Sequence, residues 1–123
     1  MLEIKIVTDR TAVAEICAGC GIFDIERLNV MAAFDSGRVI AFTVFTMDRH
    51  SLTIERIEPQ DDLPLADGMV RSTLHIAAER GLEKAYYTDL VDEEFLKRFR
   101  FVKNAQQKEL DIGILFTDCG CHQ

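Results

Sequence analysis

The sequence predicts an α/β fold, a single domain built on a mixed, mostly antiparallel sheet of about six to seven strands flanked by helices. Three observations carry the prediction. Runs of alternating apolar and polar residues recur along the chain, beginning at Leu2–Ile6. Two segments, 10–18 and 64–80, repeat apolar residues at helical spacing and are each followed by glycine. A strand–helix–strand unit lies between a three-strand meander and a closing hairpin, an order that requires parallel and antiparallel pairing in one sheet.

The elements follow in order. Leu2, Ile4 and Ile6 alternate with Glu3 and Lys5, the mark of a half-buried strand, and Thr8 and Asp9 offer an N-cap to a helix over Arg10–Ala18. On that helix Val13, Ile16 and Cys17 share a face, and Gly19 and Gly21 end it. Leu28–Phe34 and Arg38–Thr46 read as strands joined through Asp35-Ser36-Gly37, where glycine permits the positive φ of a hairpin turn. Ser51–Glu58 is their third antiparallel partner, with Leu52, Ile54 and Arg56 on one face and Thr53, Glu55 and Ile57 on the other, and Pro59 ends it. The main helix runs Pro64–Arg80 with Gly81 as its stop. Lys84–Asp89 is a short strand and Asp92–Arg98 a short helix, acidic at its start and basic at its end as the macrodipole favours. Phe101–Lys103 and Glu109–Phe116 close the chain as strands.

The 123 residues fall within the size of one domain. Residues 1–123 read as one unit with a short cysteine-containing tail at 117–123. Lys plus Arg total 14 against 21 Asp plus Glu, a net charge of −7. That balance repels phosphate backbones and anionic headgroups, so neither nucleic acid nor a membrane surface is an expected partner. The longest apolar run, around Val39–Phe45, is far short of the roughly 20 residues that cross a bilayer. The alternating start, Leu2 to Val7, lacks the basic-then-apolar order of a secretory signal, which places the chain in the cytoplasm with its four cysteines as reduced thiols or metal ligands.

Three stretches then carry a resemblance. Met31-Ala-Ala-Phe-Asp-Ser-Gly-Arg-Val-Ile-Ala-Phe42, Ile57-Glu-Pro59 running into the helix that ends Ala77-Ala-Glu-Arg-Gly81, and Phe95-Leu-Lys-Arg-Phe-Arg-Phe101 together resemble the GNAT superfamily of acyl-CoA-dependent N-acyltransferases, over about Met31 to Val102. The resemblance implies transfer of an acyl group from acetyl-CoA to a small-molecule or protein amine. It sets the cofactor between the fourth and fifth strands, against Ile57, Pro59, Leu65 and Ala66, with Glu58 as catalytic base. In that family the pyrophosphate lies on an Arg/Gln-x-x-Gly-x-Gly/Ala loop at a helix N-terminus, where unpaired backbone N–H groups and the dipole favour anions. Here the loop falls on Asp61-Asp62-Leu63-Pro64-Leu65-Ala66, and only Ala66 fits. Pro64 has no N–H to give, and Asp61 and Asp62 set carboxylates where the phosphates would lie; as structural residues the two aspartates cap the helix. Leu96 occupies the position of the family's proton-donating tyrosine and cannot be a general acid, and Arg100 replaces its glycine. His50 and His75 read as surface residues.

Cys17-x-x-Cys20 and Cys119-x-Cys121-His122 supply ligand types suited to zinc or an iron–sulfur cluster. Under the GNAT-like topology the first helix returns toward the end of the fourth strand, and a last strand parallel to the fifth would deliver Cys119 and Cys121 to the same end, with His122 as an alternate ligand. The functional readings are therefore an atypical or catalytically degenerate acetyltransferase, a small metal-binding or redox module on Cys17, Cys20, Cys119 and Cys121, and an interaction domain whose exposed sheet edge pairs with a partner or with itself as a homodimer.

Overall fold

A computed structural model describes residues 2–115 of the chain. Its elements are β1 (Leu2–Ile6), α1 (Arg10–Gly19), β2 (Asn29–Asp35), β3 (Arg38–Met47), β4 (Ser51–Glu58), α2 (Leu63–Glu79), β5 (Lys84–Tyr87), α3 (Glu93–Arg98), β6 (Val102–Asn104) and β7 (Glu109–Leu110). The seven strands form one sheet in the order β1-β2-β3-β4-β5-β7-β6. Only β4 and β5 pair in parallel. Because α2 connects them, this is the strand–helix–strand crossover that the sequence predicts. Among the described residues no helix is long and apolar enough to cross a membrane.

Local chemistry accounts for the joints. The β2–β3 hairpin turns on Ser36 and Gly37, with φ of 54° and 82°, the paired positive values of a two-residue turn that matches strand twist. Asp9, Asp62 and Asp92 each cap the helix that follows by accepting a backbone N–H of its first turn. Gly81, at φ 68°, ends α2 where a side chain would strain the backbone.

Alternation along the strands divides the core into two layers. Met31, Ala33, Phe45, Leu52, Ile54 and Ile57 face α2, which supplies Ala66, Met69, Val70, Leu74 and Ala77. Val30, Ala32 and Val44 point the other way and pack with Val13 and Cys17 of α1. Each fully buried Leu, Ile or Phe here contributes ~1.5–3 kcal/mol of apolar transfer. The buried hydroxyls of Thr43 and Thr73 lie 2.7 Å apart, and Thr73 also donates to Met69 O at 2.8 Å, so α2 docks on β3 with no polar atom left over.

Three expectations are corrected. Ile57 shares the core face with Leu52 and Ile54, and Arg56 does not: the β3–β4 register passes from Phe45↔Ile54 to Val44↔Arg56, and the extra residue, Glu55, is a bulge that reverses the alternation after it. The last strand covers Glu109–Leu110 and stops, because Asp111 turns its carboxylate onto the Gly113 N–H and breaks the ladder. That strand is also antiparallel to β5, with Ala85 opposite Leu110 and Tyr86 opposite Glu109, so it heads away from the end of the sheet at which β4 finishes.

Candidate functional site

The sheet forks where β4 and β5 part. Pairing between them ends at Ile54↔Tyr87, and the Glu55 bulge bends the rest of β4 aside. Thr88 sits in the crotch, its N–H on Ile54 O at 3.2 Å and its hydroxyl on Glu55 O at 2.8 Å. Further out Gln60 bridges the two arms. Its amide donates to Leu90 O at 3.1 Å and accepts from the Asp92 N–H at 2.6 Å, tying the end of β4 to the start of α3. These contacts occupy backbone groups that the fork would otherwise offer to a ligand.

Beyond the fork lies the first turn of α2, beside a groove of ≈ 500 Å³ lined by Leu63, Asp92, Glu94, Phe95, Lys97 and Arg98. Of the N–H groups that positions 63 to 65 would present, Pro64 has none and Leu65 gives its own to Asp62 Oδ1 at 3.3 Å. The Ala66 N–H closes the first helical bond onto Asp62 O at 2.8 Å. The Leu63 N–H remains, with the exposed carboxylates of Asp61 and Asp62 beside it. A diphosphate needs several convergent donors and a positive field, so these residues do not fit one.

The other positions singled out by sequence are spread over both faces of the sheet. Ile57 and Ala66 are fully buried in the α2 core, while Leu65 and Pro59 are half-buried. Glu58 lies on the α1 side, in a pocket of ≈ 440 Å³ shared with Glu15, Cys20, Phe42 and Arg56. Its carboxylate takes the Arg56 Nε at 3.2 Å, and Arg56 Nη1 reaches Cys20 O at 3.2 Å, so that guanidinium links β4 to the end of α1. Leu96 is fully buried, and Arg100 holds φ 65°, the conformation a glycine would adopt freely. His50 and His75 are exposed and face Glu83 and Glu79 at 3.8 and 3.4 Å.

The cysteines divide between described and undescribed positions. Cys17 is fully buried, and burial first and the neighbouring Cys20 second push its thiol up, against a smaller downward pull from Arg10. That favours the protonated thiol over the thiolate a metal requires. Cys20 turns its Sγ to Cys17 O at 3.4 Å. Among the described residues no group of three or more His, Cys, Asp or Glu is arranged to hold a metal ion. Cys119 and Cys121 lie outside the described residues.

Sequence reasoning passed over two features. The Gln60 bridge joins residues thirty apart, and nothing in the local pattern signals it. Tyr87 donates its hydroxyl to Glu93 Oε2 at 2.6 Å. Burial, then that hydrogen bond, push the phenol up to about 12, and the same bond holds the Glu93 carboxyl below its usual range. A buried aromatic hydroxyl next to an acidic helix start is the signal that could have found this pair.

No family model matches the sequence, and no curated protein matches it. Solved structures do share its architecture. A ribosomal-protein-alanine N-acetyltransferase from Brucella melitensis biovar Abortus 2308 is 14% identical with a TM-score of 0.59, over 80% of this chain and 88% of the other. A GNAT family acetyltransferase from Elizabethkingia anophelis with acetyl-CoA bound is 14% identical with a TM-score of 0.58, over 80% and 72%. A putative acetyltransferase from Exiguobacterium sp. 255-15 is 10% identical with a TM-score of 0.59, over 98% and 99%. The chain has the GNAT fold, and its described residues form a seven-stranded, mostly antiparallel sheet flanked by α1, α2 and α3.

Proposed function

We propose that this chain uses the GNAT fold for binding and has given up acyl-CoA chemistry. One observation carries the reading: the first turn of α2 offers a diphosphate the Leu63 N–H and two carboxylates, because Pro64 lacks a donor and Asp62 consumes the one on Leu65. The Gln60 bridge across the fork and the burial of Leu96 point the same way. Retained acyl transfer to an amine would need Glu58 as base, with Ile57, Pro59, Leu65 and Ala66 along the cofactor. Glu58 already shares its carboxylate with Arg56. The partner this reading favours is a macromolecule, met at the sheet edge that no other described strand covers.

The test is a thermal melt and a native mass spectrum of the full chain with and without millimolar acetyl-CoA. A ligand at a hundred times its Kd stabilises the native state by about 2.7 kcal/mol, a displacement of several degrees in a domain of this size. The expected result is no displacement and no CoA-sized mass increment, with both appearing when Asp61→Arg and Pro64→Gly restore the anion site together. Binding of acetyl-CoA to the wild-type chain overturns the reading.

A further inference from the structure

The two edges of the sheet are unlike. β6 is three residues long with a register shift against β7 and is no template for another strand. β1 pairs in unbroken register with β2 along its whole length, Leu2↔Asp35 through Ile6↔Met31, and its outer side carries no strand of the described residues. Leu2 is 54% exposed there. The ladder also settles which backbone groups face out. The Val7 N–H goes to Val30 O, so in the alternation of an antiparallel pair Lys5 and Glu3 also spend their groups on β2, and Leu2, Ile4 and Ile6 point theirs away from it.

The sequence of this edge, Leu2-Glu3-Ile4-Lys5-Ile6, is its own antiparallel complement. Laid against a second copy with Ile4 opposite Ile4, it sets Leu2 opposite Ile6 and Glu3 opposite Lys5, twice each. The hydrogen-bonded positions of that register are the even residues, whose groups pair with no other described strand. Sliding by one pairing step either way brings Glu3 opposite Glu3 or Lys5 opposite Lys5, and like charges directly opposite oppose pairing. Glu3 and Lys5 are themselves largely exposed, at 62% and 56%, and stand 3.5 Å apart. A single lysine on an edge strand guards against pairing; a lysine and a glutamate placed symmetrically about Ile4 select one pairing out of three.

The α2 face of the same edge agrees. Ile4 and Ile6 line an open groove of ≈ 590 Å³ with Met31 and Ile76, and the register above sets the partner copy's exposed Leu2 alongside Ile6 on that face. From these observations we infer that β1 is the seam of a symmetric homodimer, in which two copies pair edge to edge about a two-fold axis normal to the sheet at Ile4, giving one continuous sheet.

Sedimentation of the full chain over a dilution series, repeated on charge variants, tests the seam. The wild type is expected to be a dimer that dissociates on dilution. Glu3→Lys and Lys5→Glu each place like charges opposite one another at both ends of the seam, and each is expected to raise the dissociation constant roughly tenfold or more while keeping the wild-type far-UV circular dichroism. Mixing the two variants in equal amounts, or combining both changes in one chain, restores Glu–Lys opposition and should restore the dimer. A wild type that is monomeric throughout, whether the edge stays bare or another segment covers it, overturns the inference. So does a dimer that the single charge variants leave intact, since it would use another surface.

Discussion

From Met69 to Ala77, α2 turns Met69, Val70, Thr73, Leu74 and Ala77 fully into the sheet, whereas its first turn holds Asp62 and Pro64 at the surface with Leu65 half covered. The inner stretch packs on the sheet chiefly over β3 and β4, and the helix joins the parallel pair β4 and β5 as the GNAT fold requires. The first turn is where that fold would meet a phosphate, and here its donors are missing or spent. Within one helix the residues that hold the architecture, from Met69 on, begin about one turn beyond those that would hold a ligand, and they are buried where Asp62 and Pro64 are exposed. They can therefore change independently, and a fold can be kept while its usual site is lost.

The largest effect should come from breaking the inner stretch. Leu74→Ala removes a fully buried side chain and is expected to lower unfolding stability by ~2–5 kcal/mol, read from denaturant midpoints. Next, Thr73→Val strands the Thr43 hydroxyl in the core and should cost about 1–3 kcal/mol. Adding Thr43→Val removes both partners and should recover much of that loss. Recovery separates a docking hydrogen bond from a simple volume effect.

At the first turn the effects should be smaller. Asp62→Ala deletes the cap on Leu65 and should cost ~1 kcal/mol. A loss as large as that of Leu74→Ala would mean that the two parts of the helix are not separable. Arg100→Gly relieves a positive φ at the end of α3 and is expected to raise stability by about 1 kcal/mol.

A pH profile sharpens the contrast at α3, which borders the same groove as the first turn of α2. The Tyr87 phenol is pushed up to about 12 from an ordinary value near 10, so the folded chain keeps a proton that the unfolded chain has released. Its contribution is complete below about pH 10 and is lost as the pH rises toward 12. Glu93 has the opposite sign: its carboxyl is lowered, so its contribution is present above the usual carboxylate range and fades as acid protonates it. Tyr87→Phe should flatten the alkaline fall in melting temperature without moving the α2 cap.

Much of this was legible from the chain alone. The order of ten elements, the hairpin at Ser36-Gly37, the caps at Asp9 and Asp62 and the stop at Gly81 follow from alternation, helical spacing and side chains that bond their own backbone. All are interactions between residues close in sequence. The missing donor at Pro64 is equally local, since it is a covalent property of the residue. What sequence could not reveal depends on neighbours far along the chain. Glu55 becomes a bulge because β3 and β4 must register against one core, and Arg56 and Ile57 exchange faces as a result. β7 runs antiparallel to β5, where the sequence reading has it parallel, a direction set by pairing between residues some two dozen positions apart. The Gln60 bridge across the fork, the burial of Cys17 and the place of β1 at an edge that no other described strand covers arise the same way. Local chemistry determined which segments form and where they end. Long-range packing decided which residues share a face and which edge of the sheet no other described strand covers, because both depend on contacts between residues far apart in sequence.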